Sequence, residues 1–416
     1  MDRAAGSDQM AIPLTPPFQP HAVQVVSSTW ARDSHDLFDF EAHHLYTKTF
    51  TVLQSMVCVR NGTEVMMMKE NASMPLGSDP LLRIIQKDGL FWVDKASPNT
   101  ASKKLWRVVR DGQPSGHILT EGDIIKLGRF KFKVRQLGMN PASQPELRLE
   151  DAGGACCPAQ LDHEALASTL CRICLLEGST EEDPLITPCL CKGSIEFVHL
   201  GCLRYWIRGR LNLTDGASGG SYFYRPLACE LCKATYPTYV NLAQDRVPLV
   251  EVPRTTPPFI VLENLVRDSQ QHATRGLHVI SLAEKVLKLG RGHDSDVRIA
   301  DVSISRCHAM IRFSQGNFLL EDNDSKFGTL VAMKKPRQLE PGSSVSIQMG
   351  RTVLSLQVQT DHGYITAPSP LLPPPATVDD PRASRLMALT RGRPEIDGEN
   401  TSCDGRGGAA PQAPES

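Results

Sequence analysis

No part of this 416-residue chain comes near the roughly eighteen consecutive apolar residues that a membrane-spanning helix needs. The opening residues, Met1, Asp2, Arg3, Ala4 and Ala5, carry no apolar core of a secretory signal. A dominant charge is lacking too. Forty-five basic residues face 46 acidic ones, a formal net charge of −1, so no global field draws nucleic acid or an anionic membrane. The twelve cysteines do not read as a disulfide framework. Seven crowd between Cys171 and Cys232, while Cys58, Cys156, Cys157, Cys307 and Cys403 are scattered and odd in number. That distribution fits a reducing compartment, cytoplasmic or nuclear, and a soluble protein.

The length calls for two to four domains. Hydrophobic content of 41% and charged content of 22% are globular on average, whereas 30 prolines and 31 glycines put much of the length into loops and linkers. Residues 1–44, with Pro13, Pro16, Pro17 and Pro20 and little periodicity, read as disordered. Residues 45–138 show short apolar runs broken by turns, which predicts a β-sandwich or barrel, the sandwich being the choice made here. A Pro/Ala/Gly-rich linker follows at 139–165. A cysteine-rich module occupies 166–240, and a second linker 241–256. Strand patterning returns over 257–362, and 363–416 is a Pro-rich disordered tail. The expected fold is therefore multidomain and mainly β.

An internal echo joins the two strand-rich regions. Leu119, Gly122, Gly128 and Arg129 are answered by Leu339, Gly342, Gly350 and Arg351. Each set is a Leu-x-x-Gly turn, a strand, a Gly-Arg turn and a second strand. Any hairpin could share this outline, but it is read here as two copies of one fold, the first much diverged.

The crowded cysteines have metal-ligand spacing. They run Cys171-x-x-Cys174, Cys189-x-Cys191, His199-x-x-Cys202 and Cys229-x-x-Cys232. Eight sulfur and nitrogen donors complete two four-coordinate zinc shells, and closed shells of this kind are structural. Spacing alone does not say which pairs share an ion. The order of ligands, the Cys-x-Cys pair and Trp206 four residues after Cys202 resemble the RING-CH (variant RING) family of ubiquitin ligases. A PHD-like histone reader also uses seven cysteines and one histidine. It usually carries Trp two residues before its last pair, where this chain has Leu227. The RING-CH resemblance covers about 65 residues and implies a cross-braced α+β module with two zinc ions. Cys171, Cys174, His199 and Cys202 would hold the first, and Cys189, Cys191, Cys229 and Cys232 the second. It also implies a ubiquitin-conjugating enzyme as partner, gripped by Ile173, Trp206 and Leu231, with Lys233 contacting the carried ubiquitin. The plain alternatives are core packing for Ile173 and Trp206 and a solvated amine for Lys233. The 26 residues between Cys202 and Cys229 are longer than usual and predict an extra surface loop.

A second constellation runs Gly290-Arg291-Gly292, then Ser305-Arg306-Cys307-His308, then Ser325-Lys326-Phe327-Gly328-Thr329. Together these resemble a forkhead-associated (FHA) domain, an eleven-stranded β-sandwich that binds phosphothreonine from its loops. The resemblance implies phosphate contacts from Arg291 and Ser305, auxiliary contacts from Arg306 and Lys326, and structural roles for Gly290, His308, Gly328 and Thr329. Planar guanidinium donors and loop hydroxyls suit a dianionic phosphate. Phe327 stands where the family usually has Asn, which predicts altered or weak peptide selection. Residues 45–138 lack an equivalent Ser-x-x-His, so that copy is expected to keep the scaffold without phosphate binding. The combined expectation is a RING-type E3 ubiquitin ligase that selects phosphothreonine-containing clients. The alternative is a non-catalytic phosphothreonine-binding scaffold whose zinc finger makes protein contacts.

Overall fold

The computed structural model describes residues 22–32, 36–96, 104–110, 116–139, 155–211, 221–242, 245–250, 252–253, 255–265 and 276–359. The predicted tail at 363–416 lies outside them. Among the described residues no helix is long and apolar enough to cross a membrane.

Strands dominate, and their alternation explains why. In Phe130–Gly138 the side chains of Phe132 and Val134 point inward while Lys131 and Lys133 point out, the two-residue period of a half-buried strand. Among the described residues one eleven-stranded sheet joins strands from both ends of the chain. At its centre Thr329–Ala332 lies antiparallel to Trp106–Val108, with Leu330 opposite Val108 and Ala332 opposite Trp106. A five-stranded sheet accompanies each half, giving two sandwiches with separate apolar cores.

The two sandwiches exchange their closing hairpins. Ile124–Leu127 and Phe130–Gly138 follow the first repeat in sequence, yet they join the second. Phe130–Gly138 pairs with Phe259–Asn264, and Ile124–Leu127 with Thr329–Ala332. Conversely, Ser344–Met349 and Thr352–Gln359 end the second repeat and complete the first. There Thr352–Gln359 pairs with Ala22–Trp30, and Ser344–Met349 with Trp106–Val108. The cores follow the exchange. Phe132 and Val134 pack with Leu289, Ile311 and Phe318, and Ile347, Leu354 and Leu356 pack with Val25, Leu82 and Phe91. The echoed segments are thus the exchanged ones. Leu119 and Leu339, which open them, are both buried.

This arrangement corrects the expected segmentation. Residues 22–30, assigned to a disordered N-terminus, form a strand between Leu45–Val52 and Thr352–Gln359, and Leu37, Phe38 and Phe40 are buried. Neither 45–138 nor 257–362 closes a sandwich from its own residues. Both linkers also reach into the zinc module. Ala155–Cys156 pairs with Tyr239–Asn241, the short helix His163–Ser168 is capped by the Asp162 carboxylate, and Leu249 is fully buried in the module core. The insertion before Cys229 is more than a surface loop: Tyr222–Tyr224 adds a strand to the edge of the long sheet beside Leu277–Ser281.

In the zinc module the helix Leu200–Leu211 buries Leu200, Leu203, Ile207 and Leu211, a spacing that keeps one face inward. The Asp183 carboxylate accepts the Gly201 N–H at 2.6 Å, satisfying a donor that the first turn leaves open.

If the hairpins are exchanged, Leu356→Ala should destabilise the first sandwich by about 2–5 kcal/mol. Hydrogen exchange should then quicken in residues 22–52 while residues 287–322 keep their protection. A second expectation concerns His278, whose ring lies 6.0 Å from that of Phe132 and 4.6 Å from that of Phe223. Burial lowers its pKa from 6.5 to about 4. Below pH 6.5 the unfolded chain takes a proton that the folded chain refuses, so stability present above that pH is lost as the pH falls towards about 4. Thermal melting should show this loss, and His278→Phe should reduce it.

Candidate functional site

Each Cys-x-x-Cys pair that opens or closes the zinc module sits on a tight knuckle. Leu175 N–H donates to Cys171 O at 2.8 Å, and Lys233 N–H donates to Cys229 O at 2.9 Å. The residue after each pair takes a left-handed backbone, with φ of 61° at Leu175 and 63° at Lys233, which non-glycine residues seldom adopt. These knuckles aim the sulfurs inward. The eight donors fall into two groups, Cys171, Cys174, His199 and Cys202, and Cys189, Cys191, Cys229 and Cys232. Within each group the ligand atoms lie within 4.8 Å of one another. First and third pairs therefore converge, as do second and fourth, which is the cross-brace.

The donor sets fit zinc. Tetrahedral zinc–sulfur bonds of about 2.3 Å place neighbouring sulfurs about 3.8 Å apart, and Cys191 and Cys229 Sγ are 3.7 Å apart. His199 Nε2 lies 2.8 Å from Gly178 O. Donation there fixes the tautomer and leaves Nδ1, 3.3 Å from Cys174 Sγ, as the donor to metal. Backbone N–H groups of Ile173 and His199 both point at Cys171 Sγ from 3.4 Å. Arg172, from the first knuckle, reaches across to the sulfurs of the second group. Its guanidinium donates to Ile195 O at 2.8 Å and to Cys189 Sγ at 3.5 Å, and reaches Tyr236 Oη at 3.3 Å. Sequence spacing singled out neither Arg172 nor Tyr236. An arginine inside a metal knuckle was the available signal.

Beside these shells Ile173, Trp206 and Leu231 come together. With Arg172, Leu203, Glu230 and Tyr236 they line one shallow depression. Ile173 is 40% and Leu231 60% exposed, high values for large apolar side chains. Trp206 meets Tyr236 edge-on at 6.0 Å and lies under the Arg210 guanidinium. Arg210 in turn pairs with Glu230 at 2.5 Å. Lys233 stands at the rim with its ammonium 2.8 Å from Glu230 O.

In the second sandwich three loops converge. Arg291 N–H donates to Ser305 O at 3.1 Å and Gly292 N–H to Arg306 O at 2.9 Å. A Cβ at Gly290 would lie 2.1 Å from Arg306 O, so only glycine fits there. Lys326 N–H donates to Ser305 Oγ at 3.2 Å. Beneath them fully buried His308 accepts from Ser305 N–H through Nδ1 at 3.1 Å and reaches Gly328 O through Nε2 at 3.2 Å. Burial lowers its pKa, so the ring braces the loops in its neutral form. Arg291 and Arg306 are exposed above this frame.

The first repeat supports the third loop. Arg110 donates to Asp322 Oδ2 through Nε at 3.0 Å and Nη2 at 2.7 Å, while Ser325 and Thr329 hydroxyls donate to Oδ1. Phe40 packs against Gly328, and Trp30 lies 6.3 Å from Phe327. Phe327 thus faces the first repeat's strand. The Lys326 ammonium is 3.4 Å from Asp39 Oδ2 and 3.8 Å from Glu41 Oε2, so its charge is engaged by carboxylates. Its backbone N–H is held by Ser305 Oγ. In the first sandwich Arg60 is buried, donating to Asp79 and Thr352.

A two-zinc finger carrying an apolar groove is thereby joined to a β-sandwich whose loops gather arginine and serine donors. Comparison with known families gives these parts their names. The RING-variant domain model matches residues 171–232, and the FHA domain model matches residues 287–350. The chain contains both domains, and the FHA match runs through the start of the exchanged hairpin. Human probable E3 ubiquitin-protein ligase MARCHF10 is 42% identical over 64 residues, 15% of this chain and 7% of that protein. Human E3 ubiquitin-protein ligase MARCHF1 is 38% identical over 96 residues, 23% of each. E3 ubiquitin-protein ligase MARCHF8 of Xenopus tropicalis is 45% identical over 64 residues, 15% of this chain and 19% of that protein. The chain spans less than a quarter of the length of these relatives.

Arg172→Ala should weaken zinc binding about 10–100-fold, the usual range for a lost outer-shell partner. Chelator competition followed by metal analysis should show that the second zinc, on the Cys189 side, leaves first.

Proposed function

We propose that this chain is a RING-type E3 ubiquitin-protein ligase that selects phosphothreonine-containing clients. The observation that carries the reading is the groove of Ile173, Trp206 and Leu231, exposed apolar surface held rigid by two closed metal shells. Zinc supplies structural ties there, since four protein donors leave no open position. The groove suits an apolar loop of a ubiquitin-conjugating enzyme, and the contribution to catalysis is proximity and orientation. A client lysine amine attacks the thioester carbonyl carried by that enzyme. An isopeptide C–N bond forms, the C–S bond breaks, the enzyme's cysteine leaves as thiolate, and the amine releases a proton. In this reading Lys233, whose ammonium meets Glu230 O, contacts the carried ubiquitin.

Client choice falls to the FHA loops. Arg291 and Arg306 offer exposed guanidinium groups, and Ser305 a hydroxyl on a braced loop, which suits a phosphate dianion. Phe327, turned to the first repeat, withholds the amide that family members usually offer to the peptide backbone, so the phosphate dominates recognition.

In a reconstituted assay, Ile173→Ala and Trp206→Ala should each reduce autoubiquitination at least about tenfold with zinc content unchanged. Full activity in both variants would favour the scaffold reading. Arg291→Ala should weaken binding of phosphothreonine peptides about 10–100-fold, the worth of a lost hydrogen bond to a charged group, measured by fluorescence anisotropy.

A further inference from the structure

The insertion between Cys202 and Cys229 leaves the zinc module and returns to it. On the way Tyr222–Tyr224 lies along the outer edge of the FHA sheet, with Tyr222 opposite Val279, Phe223 opposite His278 and Tyr224 opposite Leu277. A sheet edge presents a row of open backbone donors and acceptors, and an added strand fills it. Side chains then lock this strand from both faces. Tyr222 packs against Phe259, Val261 and Val279 of the reader, and Tyr222 and Leu277 also pack on the zinc-module core. Opposite them Phe223 covers Gly276, where a Cβ would come within 2.3 Å of its ring. Ser281 N–H donates to Ser221 Oγ at 3.1 Å, and Ser281 Oγ to Thr256 O at 2.7 Å. The second of these bonds ties down the chain segment that links the two modules.

We propose that this joint makes the two modules a molecular ruler. It holds the groove and the phosphate-facing loops at one separation, so the ligase selects acceptor lysines by their distance along the client from the phosphothreonine. The proposal rests on the function inferred above. With modules on a loose tether, the effective concentration of a lysine at the thioester varies slowly with its spacing. On a fixed frame it is close to zero until the client segment can span the gap, peaks at the matching length and then declines. The specificity-determining element is Tyr222–Tyr224, a strand that touches neither zinc nor phosphate.

The test uses the full chain, a conjugating enzyme that supports its autoubiquitination, and peptides with one phosphothreonine and one lysine. The two are separated by about 4 to 30 Gly/Ser residues, a flexible spacer of graded reach. Transfer should pass through a maximum and vary at least about tenfold across the series. Tyr222→Asp breaks the joint from the zinc side and Leu277→Asp from the reader side. Each should flatten the profile to within about threefold, with phosphopeptide affinity and ubiquitin discharge onto free lysine unchanged. A flat profile in the native chain, or an unaltered peak in both variants, would overturn the ruler. The native profile decides the matter even where a variant fails to fold. Absence of phosphopeptide binding, or of discharge onto free lysine, in the native chain would sink the underlying function and the ruler with it.

Discussion

A sheet edge cannot be left bare without cost, and three pieces of this chain meet because their edges are satisfied by one another. Thr329–Ala332 and Trp106–Val108 pair across the middle, and that contact lets one sheet run through both sandwiches. Each closing hairpin then finds its place in the other repeat. The zinc module joins at the far edge through Tyr222–Tyr224. Remove the central pairing and the sandwiches lose their common frame, together with the strand positions that bring Arg110 to Asp322.

The same frame shapes the FHA loops. Asp322 is almost fully buried and has its oxygens occupied by Arg110, Ser325 and Thr329. A buried carboxylate with such partners is costly to disturb, because removing one would strand a charge away from water. The loop that carries Lys326 and Phe327 is therefore set by residues more than 200 positions upstream. The first repeat, whose own arginine at position 60 is consumed by Asp79, supports a site located in the second. The zinc module has an apolar core of its own, which takes in the cysteine ligands, and Arg172 ties its two knuckles together.

What the sequence made legible follows from how local each constraint is. Coordination chemistry acts over two or three residues, so the eight ligands stood out, and the loop motifs of the reader stood out because close backbone approach demands Gly290. Alternation over Lys131, Phe132, Lys133 and Val134 is the pattern of a strand. It could not name the neighbour, since periodicity specifies a face and leaves the partner open. The echo between Leu119–Gly128 and Leu339–Gly350 was visible, but two hairpins of one pattern can fill either sandwich. Ala22–Trp30 was overlooked because prolines precede it and one of its two partners lies more than 300 residues away. The carboxylates of Asp39 and Glu41 beside Lys326 were hidden for a related reason, since they lie almost 300 positions upstream.

The hairpin exchange imposes an order on synthesis. The hydroxyls of Thr29 and Thr352 meet 3.0 Å apart across 323 positions of sequence, so the first sandwich cannot close until almost all described residues have left the ribosome. At about 5–20 residues per second, the opening strand waits roughly 15–65 seconds for its partner. The second sandwich is complete earlier, once Thr329–Ala332 joins strands already made. In a chain whose two halves share one frame, the part that begins first is the part that finishes last.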